Sequence, residues 1–84
     1  MNILFTDKAW ADYQYWVSTD RAMLKRINRL IEETRRTPFT GIGKPEALKH
    51  QLAGYWSRRI TDGHRLVYAV EASNLVIIAA RHHY

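Results

Sequence analysis

Apolar residues recur along this chain with two periods, and the switch between them divides it into a helical first part and a strand-rich second part. Ile3-Leu4-Phe5 reads as a short opening strand. Thr6-Asp7 then offers an N-cap, because a side-chain oxygen there can accept one of the unpaired amides of a first helical turn. Ala9, Trp10, Tyr13, Trp16 and Val17 follow at helical spacing and predict an amphipathic helix over 8–17. Ser18-Thr19-Asp20 breaks that helix and caps the next. Met23, Leu24, Ile27, Leu30, Ile31 and Thr34 repeat at three and four residues, with Arg21, Lys25, Arg29, Glu32 and Arg36 on the other face. Thr37-Pro38 closes this second helix, since the residue before proline avoids helical angles. At this spacing the aromatics read as core rather than as a ligand box.

Beyond Pro38 the period shortens. A loop to Pro45 holds Gly41 and Gly43 but lacks the Gly-Lys-Ser/Thr ending of a phosphate-cradling loop. Ala47-Leu48-Lys49-His50 and Tyr55-Trp56-Ser57-Arg58-Arg59-Ile60 read as strands, and Asp62-Gly63 signals a hairpin turn. Arg65-Leu66-Val67-Tyr68-Ala69-Val70 is the next strand. After Ala72-Ser73-Asn74 a last strand is expected to run through Leu75-Val76-Ile77-Ile78-Ala79-Ala80 up to His82-His83-Tyr84. The order β-α-α-β-β-β-β predicts an α+β fold, with two N-terminal helices packed on one face of a mostly antiparallel sheet.

Eighty-four residues leave room for one domain, spanning 1–84. A hydrophobic content of 46% can build a core without cross-links, and the absence of cysteine excludes disulfides and Cys-based zinc sites. The apolar opening is too short for a signal peptide and no run approaches a membrane span, so a soluble, cytoplasmic protein with no membrane partner is expected. The formal net charge is +5. Residues 1–36 carry seven basic and five acidic side chains, and residues 37–84 carry six and three. That balance points to a polyanionic partner or, more plainly, to a solvated basic surface.

Three clusters sharpen the choice. His82-His83-Tyr84 brings two imidazoles and a phenol to the end of a core strand. Glu46 stands among Lys44, Lys49 and His50, where strand alternation would put Glu46, Leu48 and His50 on one face; a loop acid neutralised by its lysines is the plain alternative. Arg58-Arg59 face Arg65 across a tight turn, and three guanidiniums there suit phosphate, whose oxygens they match in pairs. Residues 58 and 59 point to opposite faces, so at most one of them shares a face with Arg65. A strict two-residue turn would pair Arg65 with Ile60 instead, and a bulge would change that.

Together these groups suit RNA cleavage by its own 2′-hydroxyl. A base removes the hydroxyl proton, cations stabilise the phosphorane, and an acid protonates the departing 5′-oxygen. Around neutrality a carboxylate is already deprotonated and an imidazole is within reach of protonation. No metal or other cofactor is needed, and the adjacent His82 and His83, diverging on a strand, do not form a hydrolytic zinc pattern.

The blocks Arg35-Arg36-Thr37-Pro38-Phe39, Gly43 to His50, Gly54 to Ile60, His64 to Tyr68 and Arg81-His82-His83-Tyr84 carry a resemblance. Taken together over the full length, they resemble the YoeB (Txe) toxins of the RelE-like superfamily of bacterial toxin–antitoxin systems. The resemblance implies an endoribonuclease that enters the 70S ribosomal A site and cuts mRNA there. It implies Glu46 as general base, His83 as general acid, Arg65 as phosphorane stabiliser, Lys49 and Arg59 at phosphate, and Tyr84 orienting or stacking on the substrate. It also implies a YefM-like antitoxin as partner, and dimers occur among relatives. His82 stays outside the catalytic set, His50 and His64 are expected to be hydrogen-bonded structural residues, and Trp56 is read as core. A non-catalytic RNA- or ribosome-binding protein that inhibits translation by occupancy is the alternative.

Overall fold

The computed structural model describes residues 1–82. The elements are β1 (Asn2–Phe5), α1 (Asp7–Thr19), α2 (Arg21–Arg36), β2 (Glu46–Ala47), β3 (Trp56–Thr61), β4 (His64–Glu71) and β5 (Asn74–Ala79), with a single 3-10 turn at His50–Leu52. The strands lie in the order β1-β5-β4-β3-β2. Only the β1–β5 pair is parallel; the other three neighbours are antiparallel. The expected order and α+β class are observed. Among the described residues no helix is long and apolar enough to cross a membrane.

Local chemistry explains the helix ends. Thr6 caps α1 by accepting the Ala9 amide at 3.1 Å, and its hydroxyl donates to the Ile78 carbonyl, tying the helix start to β5. Asp20 serves both helices: its backbone N–H closes α1 on the Trp16 carbonyl, and its carboxylate accepts the Ala22 and Met23 amides of α2. The first helix therefore reaches Thr19, two residues past its expected end. The hydroxyls of Ser18 and Thr19 bond back to the Gln14 and Tyr15 carbonyls instead of breaking the turn.

The helices cover one face of the sheet. Ala9 and Trp16 from α1 and Ile27, Leu30 and Ile31 from α2 pack on Ile60, Leu66, Tyr68, Leu75 and Ile77. Each fully buried aliphatic side chain contributes about 1.5–3 kcal/mol of transfer free energy, so this single layer is the main source of stability. The aromatic stripe of α1 divides. Trp16 is buried, whereas Trp10 remains half exposed and stacks on Tyr13 beside Phe5, which corrects the reading of all these aromatics as core.

Arg58 corrects a second expectation. It is fully buried, and its guanidinium donates to the carbonyls of Thr37, Thr40 and Ile42 and to the Tyr68 hydroxyl. Burying a charge costs several kcal/mol, and these four acceptors offset it without a paired carboxylate. Arg58 is thus a strut for the 37–45 loop and takes no part in a surface cationic cluster. Gly43 makes the close approach possible: a Cβ there would lie 2.8 Å from Leu30 Cδ2 and 3.1 Å from Arg58 Cβ. Its φ of +81° also favours glycine, and its carbonyl accepts the Arg59 amide at 2.7 Å.

Two strand ends differ from expectation. The strand expected over 47–50 is only Glu46–Ala47, continued by one bond from the Leu48 amide to the Tyr55 carbonyl. His50 takes a left-handed φ of +59° and starts the 3-10 turn, so the alternation that would put it beside Glu46 stops. At the other end β5 finishes at Ala79, and His82 lies in a bend with φ +66°. The expected strand through the histidines is therefore absent up to His82.

Candidate active site

The pairing registers assemble the site. Glu46 opposes Ser57, Ser57 opposes Val67, and Val67 opposes Ala79, forming one row across four strands. Arg59 opposes Arg65 two residues along the same ladder. Directly opposed residues share a face, and so do residues two apart on one strand. Glu46, Arg59 and Arg65 therefore stand on the face away from the helices, above a floor of buried Ser57, Val67 and Ala69. Glu46 and Arg59 are diagonal neighbours in the ladder, within reach of long side chains.

A bulge decides this arrangement. The pairing shifts between Arg59 and Thr61, which leaves Ile60 as the extra residue. Ile60 drops into the core, and Arg59, not Ile60, comes opposite Arg65. Of the two open choices at the Arg58-Arg59 pair, the helix-free face takes Arg59 and the core takes Arg58.

Glu46 and Lys49 line one open groove of about 490 Å³ together with Ala47, Leu48, His50 and Leu52. Its walls are a carboxylate, an ammonium and an imidazole over a leucine floor. The Arg65 guanidinium bends toward the hairpin, where Nη1 donates to the Thr61 carbonyl at 2.8 Å and lies 3.4 Å from the carbonyls of Asp62 and His64. Arg59 is half exposed, with Asp62 only a loose partner at 3.9 Å.

The segment after β5 comes to the same strand end. The Arg65 amide donates to the His82 carbonyl at 3.1 Å, and the His82 amide donates to His64 Nδ1 at 2.8 Å. That bond makes Nδ1 the acceptor nitrogen of His64, whose ring packs edge-on against Trp16 at 4.9 Å. His64 is structural, as expected. Trp56 is partly buried, packs on the core and lies 4.7 Å from Phe39, so the reading as core also holds. His50, expected to be a hydrogen-bonded structural residue, is exposed and lines the groove. His83 and Tyr84, assigned from sequence as acid and orienting residue, lie outside the described residues.

Sequence reading missed one group. Asp12 is a buried carboxylate on α1 that accepts the Ala80 amide at 3.0 Å. The signal was available: 9, 12, 13 and 16 form one helical face, and an acid stands in its apolar stripe.

Comparison with known proteins gives a consistent result. Residues 5–84 match the family model described as the YoeB-like toxin of bacterial type II toxin-antitoxin system. The chain is 57% identical over 84 residues to Toxin YoeB of Escherichia coli (strain K12), covering 100% of both chains. A solved YoeB/ParE toxin from Agrobacterium tumefaciens shares 51% identity with a TM-score of 0.98, covering 100% of both. YoeB of Staphylococcus aureus is similar as a dimer (45% identity, TM-score 0.93) and in a YoeB-YefM complex (44%, 0.92), each covering 100% of this chain and 98% of that one.

Proposed function

The chain belongs to the YoeB-like toxins of bacterial type II toxin–antitoxin systems, and from that footing we propose that it is a metal-independent endoribonuclease cleaving mRNA in the ribosomal A site. The observation that carries the proposal is the register that brings a carboxylate, Glu46, and two guanidiniums, Arg59 and Arg65, onto one helix-free face. A lysine, Lys49, shares the groove with that carboxylate.

The chemistry runs in one displacement. The Glu46 carboxylate takes the proton of the 2′-hydroxyl, and the freed oxygen bonds to the adjacent phosphorus. Arg65, with Arg59 and Lys49, neutralises the oxygens of the phosphorane, whose charge exceeds that of the ground state. The bond from phosphorus to the 5′-oxygen breaks, and His83 supplies the proton that oxygen needs to leave. The products are a 2′,3′-cyclic phosphate and a 5′-hydroxyl. Tyr84 orients the substrate or stacks on a base. His83 is bonded directly to His82, whose carbonyl is held by the Arg65 amide, which favours an acid close to the phosphate-binding arginine.

A YefM-like antitoxin is the proposed partner, since the Staphylococcus aureus relative is solved with YefM. A flexible acidic segment would complement the net charge of +5. A homodimer is proposed from the dimeric relative.

The test is primer extension on a defined mRNA in a translating bacterial extract, comparing wild type with Glu46→Gln and His83→Gln. New stops within codons for wild type alone, resistant to chelator, are the expected result. Inhibited translation with no new RNA ends in any sample would replace the nuclease by an occupancy inhibitor.

A further inference from the structure

Beyond β5 the chain is held chiefly from α1. Ala80 is fully buried, and two side chains one helical turn apart take both of its polar groups. Asp12 Oδ2 accepts its N–H at 3.0 Å, and Trp16 Nε1 donates to its carbonyl at 2.8 Å. The next residue, Arg81, lies over the Tyr15 ring at 3.5 Å. His82 is then fixed at both ends, by His64 and by the Arg65 amide. Five contacts thus define three consecutive residues that belong to no strand.

The energetics of Asp12 point the same way. Its other partner, Lys8, is mostly exposed, and an exposed ion pair contributes about 0–1 kcal/mol. Such a pair gives no reason to bury the carboxylate. The buried contact is the single peptide N–H of Ala80. His82 in turn takes a left-handed φ of +66°, a conformation costing about 1–3 kcal/mol that persists only where its surroundings over-determine it. Ala80 and Arg81 are therefore held from α1, and His82 from β4.

We infer that Asp12 and Trp16 are positioning residues that hold the Ala80 peptide so that the chain leaving His82 presents the general acid to the leaving 5′-oxygen. The inference rests on the reading of His83 as that acid. Neither side chain touches RNA in this scheme; both act through the backbone.

The test uses single-turnover cleavage on programmed ribosomes with two mRNAs, one natural and one carrying sulfur in place of the bridging 5′-oxygen at the cut site. Sulfur departs without protonation, so it removes the need for an acid. Asp12→Ala is expected to lose about ten- to a hundredfold in rate on the natural mRNA, with KM unchanged, and to regain wild-type rate on the sulfur substrate. Asp12→Asn, which keeps an acceptor oxygen, is expected to cleave close to wild type. Trp16→Phe keeps an aromatic ring in the core while removing the N–H with part of the indole, so it gives the same readout if Asp12→Ala does not fold. Equal slowing on both substrates, or no slowing on the natural one, would overturn the positioning role. A wild type that cuts neither mRNA would instead defeat the nuclease reading, and a His83→Gln variant that sulfur fails to rescue would defeat the acid assignment.

Discussion

Arg59 and Arg65 stand directly opposite each other across the β3–β4 ladder, two like charges in register, and among the described residues Arg59 meets a carboxylate at Asp62, 3.9 Å away. Opposed like charges weaken a sheet by about 0.2–1 kcal/mol, less where salt screens them. A phosphate on that face would turn the repulsion into attraction. Arg59→Gln is therefore expected to unfold at the same temperature as wild type or higher, while RNA cleavage falls. Thermal melting and cleavage rates on one preparation check both halves. A lower melting temperature would show that Arg59 supports the fold.

Arg65 should matter more for rate than Arg59, because it stands beside His82 and so nearer to the proposed acid that follows it. Arg65→Gln keeps that backbone bond and loses the charge. A drop of about a hundredfold or more in cleavage is expected, the scale of removing one donor from a developing oxyanion. Far-ultraviolet circular dichroism should be unchanged.

Removing Arg58 has the opposite profile. Arg58→Met fills similar volume but removes the guanidinium donor from the carbonyls of Thr37 and Ile42, and leaves that of Thr40 with the Thr37 hydroxyl alone among the described residues. A buried group left unsatisfied costs about 1–3 kcal/mol, and these carbonyls are part-buried, so a loss of about 1–3 kcal/mol in urea unfolding is expected.

Tyr68 gives the protein an alkaline limit. Burial pushes its phenol above the ordinary 10.0, and the hydrogen bond and charge of Arg58 only partly oppose that rise. The folded pKa exceeds the unfolded one, so the stabilisation is full below about pH 10 and is lost as pH climbs through the folded value. Unfolding free energy should fall across that window in wild type. In Tyr68→Phe this part of the fall is expected to vanish, at a cost of about 1–3 kcal/mol near neutrality because the Pro38 carbonyl loses its donor. Urea titrations at stepped alkaline pH measure both effects.

Two glycines make a matched pair. Gly43→Ala would drive a Cβ to 2.8 Å from Leu30 Cδ2 at a φ of +81°, whereas a Cβ at Gly63 meets nothing within 4 Å. Gly43→Ala is expected to cost more than about 1 kcal/mol, and Gly63→Ala to stay within about 0.5 kcal/mol. Differential scanning fluorimetry of the two variants suffices.

These features differ in how openly the sequence announces them. Helix α2 was legible because Ile27, Leu30, Ile31 and Thr34 are all buried at the spacing that predicted them. The Asp62-Gly63 turn was legible as a hairpin signal between two strand-like runs, although Gly63 does not take a positive φ. Arg58 was not, because its partners are main-chain carbonyls of a loop, and carbonyls carry no signature in sequence. The pairing of Arg59 with Arg65 hung on one bulged residue, Ile60, and one residue of slip exchanges every side chain between faces. The early end of β5 depends on Asp12 and Trp16 capturing Ala80, a contact made across 68 and 64 residues. Local periodicity reports which side chains are buried; it does not report what the backbone bonds to.

The parallel pairing of β1 with β5 joins Asn2 to Asn74, and Thr6 reaches Ile78 across 72 residues. Contacts this remote form only when both partners exist in the same solvent. During synthesis β1 and α1 emerge from the ribosome long before β5 does, and they wait with their sheet edge and the Asp12 carboxylate unfilled. Arg65, too, lacks the His82 carbonyl until that residue follows. Until β5 and the residues after it follow, β1 lacks its parallel partner and the Arg65 amide its carbonyl, so the two ends of the chain fix the sheet together.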